Sequence, residues 1–244
     1  MRKTCFMLMF IIGYLVTSSL LAIGPNGSMR VMKNGSRYCR WVLKLLGIQV
    51  RVKGQIHNGI IVANHLSYID ILALLSVRPT RFISFIEMAA LPGVGWITTI
   101  SQTLFVNRSN PRLVKKDIAN FEAELKKGMP FVFFPEGASF DGSALQPFKS
   151  SLFESAVRTG LPVQPLCLRY LEVNGEPLSL KNRDLIFYHG DMQLFPQLLG
   201  LLKLNSVTVE LIFSESITST GKSRKELAQE SHKEISKLFS PVEA

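Results

Sequence analysis

Acidic residues are absent from the first 69 positions of this 244-residue chain, whereas nine lysines and arginines occur before residue 54. The whole chain has 28 basic and 18 acidic residues, so the basic residues beyond position 53 nearly balance the acidic ones. The excess positive charge therefore belongs to the N-terminal segment. Such a segment favours an anionic partner, either a nucleic acid or a membrane surface.

Two other scarcities narrow the class of protein. The three cysteines, at positions 5, 39 and 167, are scattered and lack any CxxC spacing, which argues against a disulfide framework or a zinc site and fits a reducing compartment. No G-x-S-x-G elbow of a serine hydrolase occurs. With 47% hydrophobic and 19% charged residues, the chain is long enough and apolar enough for one α/β domain with additions.

The N-terminal segment contains twenty consecutive residues without a charge, TCFMLMFIIGYLVTSSLLAI at 4–23. That length suffices to cross a hydrocarbon core, and no A-x-A-like cleavage site follows it. We therefore expect an uncleaved membrane anchor, which either spans the bilayer or dips into one leaflet. An apolar run joined to a basic patch favours a membrane over a nucleic acid as the anionic partner.

Residues 36–52 mix Trp41, Val42, Leu45 and Leu46 with Arg37, Arg40 and Lys44, as an interfacial helix does. More basic residues follow the apolar run than precede it, which predicts a catalytic domain that faces the cytoplasm at the inner membrane. We expect residues 1–47 to form the membrane anchor and basic interfacial helix, and 48–244 to form the catalytic domain.

Beyond residue 50, strand-like and helix-like segments alternate, which predicts an α/β fold with a mixed, mostly parallel sheet flanked by helices. The predicted helices span 111–128, 149–159 and 222–239. The predicted strands span 48–52, 59–63, 81–85, 103–106, 131–134, 163–169, 184–188 and 206–213.

The stretch VANHLSYIDILALL places His65 and Asp70 five positions apart. On one straight helix this step turns a side chain by about 140°, so the two meet only if His65 precedes the helix. The pattern allows this, because 59–63 is typical of a buried strand and 68–77 of an apolar helix. Ser67 would be the N-cap, with Asp70 reaching back to its N–H in a capping box. These residues leave open both a catalytic pair and a helix cap.

Two further predicted strand ends carry polar residues. The strand in FVFFPEG ends in Glu136 and Gly137, and the strand in TLFVNR ends in Arg108. Turn formation explains Gly137 but not Glu136, and a glycine also lets a backbone N–H approach an anionic ligand closely. Because strand ends at one edge of an α/β sheet converge, we predict that His65, Arg108 and Glu136 share one site.

These motifs resemble those of the 1-acylglycerol-3-phosphate acyltransferase family of membrane lysophospholipid acyltransferases. Four family blocks occur in order as NHLSYID, TLFVNR, FPEG and LPVQPLCL, over about residues 50–170. The resemblance implies a glycerolipid acyltransferase-like fold and transfer of a fatty acyl group from an acyl thioester to a lysolipid hydroxyl. It implies acyl-CoA or acyl-carrier protein as co-substrate, with no further cofactor and no metal.

The resemblance also assigns roles to the residues. His65 would act as general base on the acceptor hydroxyl, and Asp70 would orient its imidazole. The implied substrate-binding residues are Asn64, Arg108, Glu136 and Gly137.

Departures from the family pattern bear on the acceptor. The family usually continues Thr-Arg-Ser after FPEG, whereas here Ala138, Ser139 and Phe140 follow, and Phe85 stands where a lysine is common. The segments FDGSALQPFKSSLFESA and YHGDM resemble the branch that acylates lyso-ornithine lipid. We expect 1-acyl-sn-glycerol-3-phosphate as acceptor, with lyso-ornithine lipid as the alternative. A lipid hydrolase and a catalytically inactive membrane scaffold are the other classes considered.

Overall fold

A computed structural model describes residues 13, 29–85, 103–106, 119, 122–125, 128 and 130–243. The helices are α1 Met29–Leu46, α2 Ile69–Val77, α3 Glu154–Thr159, α4 Leu194–Leu201 and α5 Arg224–Leu238, with 3₁₀ turns at Ser151–Phe153 and Arg183–Leu185. The strands are β1 Ile48–Lys53, β2 Ile60–Ala63, β3 Arg81–Phe85, β4 Leu104–Val106, β5 Phe131–Phe133, β6 Val163–Val173, β7 Glu176–Pro177 and β8 Val207–Phe213.

The eight described strands form one sheet in the order β1-β8-β6-β2-β5-β3-β4, with β7 beside β6. Neighbouring strands are parallel except at the β6–β8 and β6–β7 pairs. The α/β prediction of a mixed, mostly parallel sheet is confirmed. Strands β2, β5 and β6 lie side by side in parallel, so the loops that follow β2 and β5 leave the same edge of the sheet.

Strand β2 is buried over all four residues, as expected for a central strand with both faces covered. Its side chains alternate between two core clusters, since Ile61 packs with residues of α1 and α2, whereas Ile60 and Val62 pack with Phe153 and α5. Helices therefore cover both faces of the sheet.

Helix α1 packs with one face against the core, where it adjoins α2. Its buried apolar residues are Met32, Cys39, Val42, Leu43 and Leu46. Val42 and Leu46, which the sequence pattern assigned to an interfacial helix, both contribute to the core cluster. Trp41 is 45% exposed, and Arg40 lies beside α2, donating a hydrogen bond to the Ser76 carbonyl at 2.9 Å.

Among the described residues, no helix has both the length and the apolarity to cross a membrane. The predicted anchor at 4–23 lies outside the described residues except for Gly13. Most of the predicted helix at 111–128 also lies outside them, although 122–125 are helical.

One predicted strand is wrong. Residues 184–188 form the end of a 3₁₀ turn and an irregular segment, in which Phe187 N–H donates to Arg183 at 2.8 Å and Tyr188 N–H donates to Leu66 at 2.9 Å. The buried Ile186 and Phe187 gave this segment the apolar pattern of a strand, but its backbone pairs with a turn and a loop. Helix α4 has no counterpart in the sequence prediction.

Candidate active site

His65 and Asp70 are in contact at the junction between β2 and α2. The Nδ1 atom of His65 lies 2.8 Å from Asp70 Oδ2. The histidine precedes the helix, as the five-residue spacing requires, and its side chain is 16% exposed while that of Asp70 is fully buried. Since Asp70 holds Nδ1, the other ring nitrogen, Nε2, is the one left to meet a substrate.

Asp70 also accepts hydrogen bonds from the backbone of the same loop. Its Oδ2 atom accepts the N–H groups of Leu66 at 2.8 Å and Ser67 at 2.9 Å. The two interpretations of this residue therefore coexist, because one carboxylate both ties down the start of the helix and contacts the imidazole. The fourth donor is the Tyr170 hydroxyl, 2.7 Å from Oδ1.

Ser67 is not the N-cap that the sequence pattern predicted. Helix α2 begins at Ile69, and Tyr68 occupies the cap position without a side-chain capping bond. The Ser67 hydroxyl accepts the Ile69 N–H at 3.3 Å and donates to the Ile186 carbonyl at 2.6 Å. The loop after β2 is thereby fastened to the irregular segment that precedes α4.

Glu136 reaches the same histidine from the loop after β5. Its Oε2 atom accepts the His65 backbone N–H at 2.6 Å, and its Oε1 atom accepts that of Gln146 at 3.0 Å. The residue is 4% exposed, and burial raises the pKa of its carboxyl to about 7 despite these two N–H groups. The prediction that Glu136 binds substrate stays a prediction, since in the structure its carboxylate holds backbone.

The same loop positions the imidazole from a second side. The ring of Phe134 stacks on that of His65 with centroids 4.0 Å apart. The His65 carbonyl accepts the Phe140 N–H at 3.0 Å. The ring of the histidine is thus held by Phe134, the first residue of the FPEG block, and its backbone by Phe140, three residues after that block.

Gly137 adopts a left-handed conformation with φ of +83°, which a residue with a side chain adopts only with strain. A β-carbon at this position would lie 2.5 Å from the ammonium nitrogen of Lys149. Lys149 is exposed, and its backbone N–H donates to the Pro135 carbonyl at 2.9 Å. Among the described residues, its ammonium group has no hydrogen-bond or ion-pair partner. The glycine thus leaves room for the Lys149 ammonium group beside Gly137.

Asn64 links β2 to β6 in the interior. Its Nδ2 donates to the Leu168 carbonyl at 3.0 Å, and its Oδ1 accepts the Leu168 N–H at 2.7 Å. The side chain is fully buried, and its amide stabilises the pairing of β2 with β6 at the sheet edge where His65 begins the loop. Its predicted contact with substrate stays a prediction.

Arg108 lies outside the described residues. Two of the three predicted strand ends therefore meet in the structure, at His65 and Glu136, and the third stays a prediction. Sequence reasoning missed Tyr170 and Lys149, and it noted Ser139 as a departure from the family pattern without predicting its contact with Tyr188. Of these, Lys149 could have been found from the sequence, because it is a cation close in sequence to the FPEG loop, where this chain lacks the family's arginine. Within the described part of the chain, no three His, Cys, Asp or Glu side chains are grouped as metal ligands.

Comparison with known proteins decides the family. The model of a family described as Acyltransferase matches residues 48–169, which include His65, Asp70, Glu136 and Gly137. The chain belongs to this acyltransferase family. The resemblance of its four sequence blocks is confirmed, and the protein is an acyltransferase.

Curated relatives that are similar to this acyltransferase are named for two different acceptors. A lyso-ornithine lipid O-acyltransferase of Brucella abortus is 32% identical over 215 residues, covering 84% of this chain and 80% of the relative. A 1-acyl-sn-glycerol-3-phosphate acyltransferase of Neisseria gonorrhoeae is 30% identical over 170 residues, covering 69% and 64%. The crystal structure of the 1-acyl-sn-glycerophosphate acyltransferase PlsC from Thermotoga maritima has the same fold, with a TM-score of 0.64 at 23% identity and 98% and 96% coverage.

Proposed function

We propose that the protein transfers a fatty acyl group from an acyl thioester to the free hydroxyl of a lysolipid, with His65 as general base. The observation that carries this is the orientation of one imidazole. Asp70 holds Nδ1 at 2.8 Å, and among the described residues no side chain or backbone group binds Nε2. Nε2 is therefore open to accept a proton from an incoming hydroxyl.

The reaction follows from that arrangement. Nε2 of His65 removes the hydroxyl proton while the hydroxyl oxygen attacks the thioester carbonyl. The resulting tetrahedral intermediate collapses, the carbon–sulfur bond breaks, and the imidazolium returns its proton to the departing thiolate. Asp70 orients the ring and stabilises its positive form in between, as a carboxylate does in a Ser-His-Asp triad. The nucleophile here belongs to the substrate.

For the acceptor we propose lyso-ornithine lipid. The support is a contact between Ser139, which replaces the family's usual arginine, and the YHGDM segment, which resembles the lyso-ornithine branch. Ser139, which stands where the family usually has arginine, donates its hydroxyl to the Tyr188 carbonyl at 2.5 Å. Tyr188 opens the YHGDM segment, which resembles the lyso-ornithine branch, and its N–H donates to Leu66 beside His65. Relatives from Brucella abortus and Rhizobium meliloti are named lyso-ornithine lipid O-acyltransferases, which supports this proposal.

The second candidate acceptor is 1-acyl-sn-glycerol-3-phosphate. The free ammonium group of Lys149 beside Gly137 favours an anionic head group, and a phosphate is one. The ornithine carboxylate is another, so Lys149 is compatible with both acceptors.

An assay with both acceptors tests the proposal. Membranes that contain the protein would be given labelled acyl-CoA or acyl-carrier protein together with either lyso-ornithine lipid or lysophosphatidate. We expect labelled ornithine lipid to accumulate faster than phosphatidate, and neither product with His65→Ala. Faster labelling of phosphatidate would show that 1-acyl-sn-glycerol-3-phosphate is the preferred acceptor. Full activity of His65→Ala would refute the proposed mechanism for either one.

We further propose that the enzyme acts at the cytoplasmic face of the inner membrane, held by residues 4–23 and by attraction of its basic N-terminal segment to anionic lipid. Acyl thioesters are supplied from the cytosol, whereas lysolipids lie in the bilayer. Full-length protein should stay on vesicles in a high-salt wash, whereas protein lacking residues 1–27 should be released because salt screens exposed charges. Release of the full-length protein by the same wash would contradict the anchor.

A further inference from the structure

Among the described residues, Tyr170 is the one donor to Asp70 that comes from outside the loop after β2. Strand β6 pairs with β2 only as far as Ala63 and Leu166, and then continues to Val173. Tyr170 therefore stands beside the loop rather than beside the strand. It also lies one position beyond the residues that the family model matches.

The contact is close and shielded from water. The Tyr170 hydroxyl lies 2.7 Å from Asp70 Oδ1, and the tyrosine is 4% exposed. Its ring packs edge-on against Phe187 at a centroid distance of 5.4 Å. Burial, followed by the negative charge of Asp70, raises the pKa of Tyr170 well above its ordinary value, so the phenol keeps its proton and donates.

We propose that Tyr170 is a positioning residue that sets the basicity of His65 through Asp70. This rests on the proposed role of His65 as general base. The two oxygens of Asp70 have different partners, since Tyr170 binds Oδ1 whereas His65 binds Oδ2. A donor on Oδ1 draws negative charge away from Oδ2 and weakens its attraction for the imidazolium. The hydroxyl therefore keeps the imidazole less basic than an unrestrained carboxylate would make it.

Few other ionisable groups face this pair. Glu136 binds the backbone N–H of His65, and Tyr68, at the cap position before α2, lies close enough to Tyr170 to raise the pKa of Tyr170. Among the described residues, no lysine or arginine forms an ion pair or hydrogen bond with Asp70 or His65. The tyrosine hydroxyl is thus the group best placed to change the charge distribution on Asp70 without touching the histidine.

The test is Tyr170→Phe in the full-length protein, which removes the hydroxyl and keeps the ring that packs on Phe187. The pKa of His65 would be measured directly by NMR on labelled histidine, with His65→Ala identifying the resonance. We expect that pKa to rise by about half a unit to one unit, and the acid limb of kcat/KM to move up with it. We also expect kcat at neutral pH to fall about threefold to tenfold.

The matched control is Tyr68→Phe, since the Tyr68 hydroxyl binds Gln197 Oε1 at 2.5 Å and not Asp70. It should leave the pKa of His65 unchanged. A Tyr170→Phe protein that loses thermal stability but keeps the wild-type His65 pKa would overturn the proposal. So would a double variant in which Tyr170→Phe lowers kcat as much in an Asp70→Asn background as in the wild type.

If Tyr170→Phe fails to fold, site-specific 3-fluorotyrosine at position 170 tests the same coupling with the opposite sign. Fluorine makes the phenol a stronger donor, so the pKa of His65 should fall, and an unchanged value would refute the coupling. Full activity of His65→Ala would refute the proposed function alone, because the titration of His65 still measures its coupling to Tyr170.

Discussion

Two buried carboxylates hold the same histidine, and they hold different parts of it. Asp70, in the loop after β2, contacts the imidazole and also accepts two backbone N–H groups and a phenol. Glu136, in the loop after β5, accepts two backbone N–H groups, from His65 and Gln146, and no side-chain donor among the described residues. Removal of the first charge should therefore change the chemistry of the ring, whereas removal of the second should change where the ring sits.

The largest effect is expected at the imidazole and its partner. His65→Ala and Asp70→Asn should each lower kcat by about 10²- to 10⁴-fold, the usual contribution of a positioned general base. Asp70→Asn should also lower the melting temperature, because an asparagine NH₂ would face the N–H groups that the carboxylate accepts. The measurements are acyl transfer and thermal unfolding on the same samples.

His65→Ala is the control for folding in that pair. Among the described residues its side chain makes one hydrogen bond, to Asp70, and stacks on Phe134, so its melting temperature should fall less than that of Asp70→Asn. An Asp70→Asn protein that is less stable but turns over at the wild-type rate would make Asp70 a helix cap alone.

At Glu136 we expect an effect of pH on stability. Because its pKa of about 7 lies above the ordinary value of 4.5, the folded chain retains a proton that the unfolded chain releases between these pH values. The free energy of unfolding should therefore decrease by up to about 3 kcal/mol as pH rises from below 4.5 to above 7. Glu136→Gln should abolish this dependence, as measured by urea unfolding at pH 5 and pH 7.5.

The capping glutamate of α5 provides a control of opposite sign. Hydrogen bonds from Ser223 lower the pKa of Glu226, so its contribution to stability is lost as pH falls through the acid range. Glu226→Gln should leave the difference between pH 5 and pH 7.5 close to that of the wild type. A Glu136→Gln protein with the wild-type pH dependence would show that another group titrates there.

The two carboxylates also differ in how far along the chain they lie from His65, and this separation decides which contacts the sequence could predict. The meeting of His65 and Asp70 depends on five residues of local geometry, so the strand-to-helix pattern was enough to allow it and the family resemblance to favour it. The approach of Glu136 depends on β2 and β5 being neighbours in the sheet, which the general tendency of strand ends to converge suggested without fixing the order. The bond from Tyr170 spans 100 positions, and nothing in either segment indicates it.

The errors have physical causes of the same kind. The apolar run around Ile186 and Phe187 predicted a strand, but such a run indicates burial and not a backbone conformation. An irregular segment that crosses the core is buried in the same way. The burial of Val42 and Leu46 was missed because a helix that packs one face on a core has the amphipathic pattern of a helix on a membrane.

A smaller loss of stability is expected at Asn64. The side chain of this residue forms hydrogen bonds with the backbone of β6 and not with His65 or Glu136, so its substitution tests the support of the sheet edge alone. Asn64→Ala leaves both the N–H and the carbonyl of Leu168 without their partner. We expect a loss of about 2 kcal/mol in the free energy of unfolding, with no change in its pH dependence. Denaturant unfolding at two pH values checks this, and a loss that varies with pH would mean that Asn64 supports Glu136 as well.

The smallest effect is expected at Lys149, which tests whether the loop after β5 also meets the substrate. An exposed ammonium group contributes little binding energy, so Lys149→Gln should raise the KM for the lysolipid acceptor about threefold to tenfold and leave the KM for the acyl donor unchanged. The matched control is Lys233→Gln, an exposed lysine on α5. Added salt should reduce the difference between Lys149→Gln and wild type, because it screens the attraction that the variant lacks. If both variants had the same acceptor KM, Lys149 would have no part in binding the head group, and Gly137 would be required for its backbone conformation alone.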